Sequence, residues 1–182
     1  MPGIRCSDGP WHGRYKMPPE RDDKQKVWDL IKDAHSALLV TVGRDGGLDS
    51  RPMGCLQTKF DDTLWFLTFR HSPKLQEIDH DDRVLVSYAK PSRYEYVSVS
   101  GRAKVVEDKR RIKELWFEGL RVWFPNGPDD PQIALLSVEV DEVKYWTNAA
   151  SVATYAWAYV KARLTGKSPS PAQIAETKSI RF

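Results

Sequence analysis

The sequence predicts a mainly β protein: an antiparallel β-barrel with peripheral helices. Three observations lead there. About six runs of β-forming residues recur along the chain, tight turns bearing Gly, Asp and Pro join many of them, and only short helical segments intervene. Strands linked by tight turns pair antiparallel, whereas a doubly wound parallel sheet needs a crossover helix between successive strands.

The elements can be justified in chain order. Residues 1–20 are rich in Gly, Pro and polar side chains without periodicity and read as an irregular N-terminal arm, with Trp11 and Tyr15 available for docking. From Arg21 to His35, Val27, Leu30, Ile31 and Ala34 recur at helical spacing between charged residues, as in an amphipathic helix. The β-rich "ALLVTV" then meets the turn "GRDGG", where Asp45, Gly46 and Gly47 suit the positive φ of a hairpin. Pro52 lies inside the returning strand and has no N–H for a ladder, so that strand is predicted to be an edge or to bulge, open to a ligand. Asp61-Asp62 turns the chain into the third strand, "TLWFLTF". Ser72 as N-cap and Pro73 at the first helical position predict a short helix over "SPKLQEIDH", with Leu75 and Ile78 inward. Two further strands follow in "RVLVSYA" and "YEYVSVSGRAKVVE", the second bent at Gly101.

"DKRRIKELWFEGLRVWF" reads as one helix, with Ile112, Leu115, Trp116, Leu120, Trp123 and Phe124 on an apolar stripe. After the turn "PNGPDDP", "IALLSVEVDEVKYW" supplies a last strand or pair, and "AASVATYAWAYVKARL" reads as a helix ending at Gly166. The predicted organisation is thus an arm over 1–20, a single barrel domain with flanking helices over 21–165, and a C-terminal tail over 166–182. A chain of 182 residues suffices to bury one such core.

Composition excludes several classes. With 28 basic and 25 acidic residues the net charge is only +3, and the densest basic stretch, Arg102 to Lys113, is interrupted by Glu107 and Asp108. A nucleic-acid interface needs a more concentrated basic surface. Cys6 and Cys55 have neither the number nor the spacing of a disulfide framework or zinc site, and none of the four histidines has partners at ligand spacing. No signal-peptide core or bilayer-length apolar run occurs, so a soluble protein of the reducing cytoplasm is expected.

The chemistry concentrates in "FLTFRHSPK", residues 66–74, where a strand runs out and a helix begins. Thr68, Ser72 and Lys74 would bring two hydroxyls and an ammonium to a helix N-terminus, and Arg51 on the preceding strand could add a planar fork. Free backbone N–H groups, the helix dipole and charge-assisted donors together suit a phosphate. Spacing alone favours an ordinary helix cap beside surface charges. No Ser/His/Asp or Cys/His arrangement stands out, so no catalytic side chain is assigned.

The runs "SRPM", "LWFLT", "SPK", "YVSVSG" and "WFPNGPDDP", in this order and spacing over residues 22–165, resemble the general stress protein group of the pyridoxamine 5'-phosphate oxidase-like, FMN-binding split-barrel superfamily. The resemblance implies a six-stranded antiparallel split barrel that forms a homodimer, with FMN at the subunit interface. It matches Arg51 and Lys74 to the family's phosphate-binding cations, places Ser72 in the same phosphate loop, and matches Leu67 and Thr68 to a strand-end pair, Leu67 acting through its backbone. Met53 falls where backbone groups meet the flavin ring, and Gln57 near a lysine of the oxidases that faces the ring's polar edge. Trp146 in "KYW" resembles a tryptophan near the oxidase active site.

Two departures stand out. Pro73 replaces the first cation of an Arg-Lys pair, and no basic segment of the kind that grips pyridoxal phosphate follows Trp146. Oxidation of vitamin B6 is therefore not expected. Seven tryptophans are many for a chain this short, and a flat ring cofactor is well served by such side chains. Helical packing is the preferred reading for Trp116; for Trp123, beside a Gly/Pro loop, packing and flavin contact both remain open. Two function classes follow: a flavin-dependent oxidoreductase, or a non-catalytic flavin-binding or flavin-sequestering stress protein.

Overall fold

Helix α1 (Arg21–Ile31) seats Val27, Leu30 and Ile31 in the core, the apolar side of an otherwise charged segment. The computed structural model describes residues 21–148, 163 and 175–182. The predicted arm and the helix read over residues 149–164 lie outside the described residues, apart from helical Arg163.

One antiparallel sheet follows, built from β1 (Ser36–Val42), β2 (Leu48–Gly54), β3 (Thr63–Phe69), β4 (Arg83–Lys90), β5 (Glu95–Val106), β6 (Ile133–Asn148) and β7 (Ala175–Arg181). Its order is β2-β1-β4-β5-β6-β3, with β7 also on β6. The two strands that end this path, β2 and β3, come together without pairing, so the sheet curls into a barrel that is split between them. Alternation makes this possible. Ala37, Leu39 and Thr41 of β1, and Leu64, Phe66 and Thr68 of β3, turn inward at period two, where the aliphatic members pack with Val86, Val99 and Val138.

A smaller apolar cluster lies on the other face of β3 and β6. There α3 (Lys109–Leu115) sets Ile112 and Leu115 against Ile133 and Leu135, with Leu67, Trp65 and Trp116 packed alongside. The single helix expected over 108–124 breaks at Trp116, whose backbone is extended (φ −74°, ψ 138°), and a 3-10 turn takes over at Glu118–Val122. A continuous helix of that length would run about 25 Å. The break instead folds Phe124 back onto Phe69, ring centroids 4.9 Å apart.

The turns behave as their residues dictate. Gly46 takes φ +79°, and the Asp45 carboxylate accepts from Gly47 N at 2.9 Å. Pro52 sits on β2, an edge strand, where its missing donor costs nothing. Gly101 marks a register shift between β5 and β6; a Cβ there would lie 2.2 Å from the Glu139 carbonyl oxygen. The expected C-terminal tail, by contrast, carries β7, which continues the edge of β6 beyond the last residue paired with β3. Its polar "AETKSIR" hid the strand, because among its described side chains only Ile180 is buried in the core.

Candidate functional site

Arg51, Thr68 and Lys74 lie close together at the mouth of the split, where β2 and β3 face each other. Helix α2 (Pro73–His80) follows β3 directly and packs on β1, carrying Lys74 and Glu77 one turn apart on the same side as buried Ile78. Lys74 Nζ donates to Thr68 Oγ1 at 2.9 Å, tying the first turn of α2 to the inward face of β3. Arg51 reaches in from the facing edge strand. Its Nη1 donates to Thr41 Oγ1, and its Nη2 to Glu77 Oε2 at 2.8 Å and Asp49 Oδ2 at 2.7 Å. Thr41 in turn donates to Glu77 Oε2 at 2.5 Å. A hydroxyl with no exposed surface, a guanidinium and a carboxylate thus bridge β1, β2 and α2.

Both Arg51 and Glu77 expose only 17% of their side chains. Lys74 is harder to charge than an ordinary lysine, first because burial strips its water and second because Arg51 is close; Glu77 partly offsets this. Among the described residues no carboxylate stands within 4.0 Å of Lys74. Ser72 occupies the N-cap position of α2, but its hydroxyl caps nothing, and its buried Oγ has no hydrogen-bond partner among the described residues. Lys74 and the unsatisfied Ser72 hydroxyl at the start of α2, with Arg51 opposite on β2, are a donor set suited to an oxyanion.

The remaining predicted positions divide. Met53 is buried, on the same face of β2 as Arg51 and two residues from it, so only its backbone is open to a ligand. Leu67 faces the opposite side of β3 from Thr68 and packs in the α3 cluster, which also leaves it only its backbone. The Gln57 amide is held within its own loop: it donates to the carbonyls of Lys59 (2.7 Å) and Thr63 (3.2 Å) and accepts from Trp65 N (3.0 Å). Trp123 is 63% exposed and Trp146 37%; neither shares a hydrogen bond, ion pair or ring contact with the Arg51 cluster within one chain. Arg70, between Thr68 and Ser72 in sequence, turns away to pair with Glu107 at 2.8 Å and to bind the carbonyls of Pro131 and Ile133.

Sequence reasoning missed Thr41 and Glu77. Each had a signal: Thr41 is the polar residue on the inward period of "ALLVTV", and Glu77 stands one helical turn after Lys74.

An antiparallel sheet curled until its ends meet, with an oxyanion donor set at the seam, defines a split-barrel protein. The chain belongs to the pyridoxamine 5'-phosphate oxidase like family, whose sequence model matches residues 22–170. General stress protein 26 of Bacillus subtilis (strain 168) is 28% identical over 130 residues, spanning 69% of this chain and 89% of that protein. Among solved structures, a candidate general stress protein 26 from Jannaschia sp. CCS1 aligns at TM-score 0.70 and 21% identity, covering 90% of this chain and all of that one. The general stress FMN/FAD binding protein of Xanthomonas citri aligns at TM-score 0.62 and 24% identity, over 73% of this chain and 94% of that one.

Proposed function

We propose that this chain binds FMN with the phosphate at the mouth of the split and serves as a cytoplasmic flavin-dependent oxidoreductase that does not oxidise vitamin B6. The observation that carries the reading is the convergence of Arg51, Lys74 and Thr68 on one mouth, with the Ser72 hydroxyl at the start of the same helix unsatisfied. Family membership and the flavin-binding description of the Xanthomonas citri neighbour support a flavin as the ligand.

In this reading Arg51 and Lys74 bind the phosphate, and the Ser72 hydroxyl donates to it. The backbones of Met53 and Leu67 lie against the ring. When bound, FMN supplies two-electron redox chemistry at its ring, while the protein positions it and excludes water. The exposed Trp123 and Trp146 stand apart from the cluster in one chain, and assembly as a homodimer is what would bring them to a flavin at the interface.

A second reading, flavin binding without turnover, is favoured by one observation. The Gln57 amide, expected near the polar edge of the ring, is committed to its own loop. Visible absorption of the purified protein, before and after adding FMN and desalting, tests the first step: retained flavin bands near one per subunit are expected, and a colourless protein would refute flavin binding. Steady-state assays with NADH, NADPH and artificial acceptors then separate the two readings. Turnover well above that of free FMN marks an enzyme.

A further inference from the structure

We propose that Glu77 is an internal counter-anion that competes with the ligand's phosphate for Arg51, and so sets how strongly this site discriminates phosphorylated from unphosphorylated ligands. The inference rests on the phosphate-site reading above. Glu77 Oε2 accepts from Arg51 Nη2 at 2.8 Å and from Thr41 Oγ1 at 2.5 Å, and a carboxylate oxygen in that position satisfies the guanidinium much as a phosphate oxygen would. Lys74 and Glu77 lie one turn apart on α2, so a phosphate shared by Lys74 and Arg51 comes within reach of the Glu77 carboxylate. Two like charges in a half-buried mouth repel more strongly than they would in water.

Glu77 also has a use without the ligand. It partly offsets burial and the nearby Arg51, which together make Lys74 harder to charge. Removing its charge should therefore move two properties in opposite directions, weakening the fold while tightening phosphate binding. A carboxylate that merely oriented Arg51 would move both the same way.

The test compares wild type with Glu77→Gln, and with Glu77→Met as a second charge-free variant if the first folds poorly. Fluorescence titrations give the affinities for FMN and riboflavin, and thermal melts give stability with and without inorganic phosphate. Glu77→Gln is expected to bind FMN about tenfold more tightly, with riboflavin changed less than about twofold, and to melt at a lower temperature without added anion. Weaker or unchanged FMN binding in both folded variants, with wild type binding FMN normally, overturns the counter-anion role and leaves the flavin reading intact. If FMN binds none of the proteins but phosphate stabilises the variants more than wild type, the flavin reading falls and the counter-anion role stands. If neither FMN nor phosphate acts on any of them, both fall.

Discussion

Arg51 carries two tasks at once. Its guanidinium is a phosphate donor in the proposed function and, in the fold, the cation that balances a Glu77 side chain only 17% exposed. Lys74 has no comparable structural duty, since its one hydrogen bond among the described residues goes to the Thr68 hydroxyl. Arg51→Ala and Lys74→Ala are each expected to weaken FMN binding by about 1–3 kcal/mol, the range for a charge-assisted bond. Only Arg51→Ala should also lower stability, by about 1–3 kcal/mol, because it strands Glu77. Equilibrium titration alongside urea unfolding separates the two effects, and equal stability losses in both variants would contradict the assignment. At Cys55, burial pushes the thiol up to about 11, with the Tyr88 hydroxyl partly opposing the shift. At pH 8 the thiolate should amount to roughly one part in a thousand. In a Cys6→Ser background, labelling by a disulfide reagent should be slow and should speed up about tenfold per pH unit towards that value. Rapid labelling of the folded protein at pH 8 would show the thiol to be accessible.

Two elements owe their shape to contacts distant in sequence. Strand β5 crosses β6 at Gly101, where the register shifts and the Glu139 carbonyl fills the space a side chain would take. Gly101→Ala would force these strands apart and should cost about 1–3 kcal/mol, the usual penalty of overpacking, read as a lower urea midpoint. A neutral result would mean that the bulge can relax. The other element is the 116–124 segment, which an amphipathic pattern alone assigns to one helix. The stripe was legible, since Ile112, Leu115 and Phe124 are all buried. Its geometry was not, because docking Phe124 on Phe69 depends on a strand some fifty residues earlier, and Trp123 is left facing solvent.

At the scale of the whole molecule, the curled sheet is extended along β6 by β7. That strand pairs with Glu142–Asn148 of β6, buries Ile180, sets Phe182 edge-on to Phe60 at 5.5 Å, and ties Lys178 to Asp23 of α1 at 2.7 Å. Deleting residues 175–182 should cost about 3 kcal/mol or more from lost burial and pairing, and should expose a β6 edge prone to self-association. Calorimetry and light scattering would report both; an unchanged melting temperature would show β7 to be dispensable.

What could be read along the chain is local in range. Runs of β-forming residues marked the strands up to β6, Gly and Asp marked the turns, Pro52 marked an edge or a bulge, and "FLTFRHSPK" put hydroxyls and a cation at a strand-to-helix junction. Each of these depends on residues a few positions apart, within reach of backbone sterics and side-chain spacing. Long-range folding sets Glu77, rather than solvent, against Arg51, turns Arg70 away from its neighbours, and adds the C-terminal segment to the sheet. Those outcomes depend on strand order and curl, which bring β2, α2 and β7 to their partners, and the pairing energies that select that order are summed over the whole sheet rather than encoded in any one stretch.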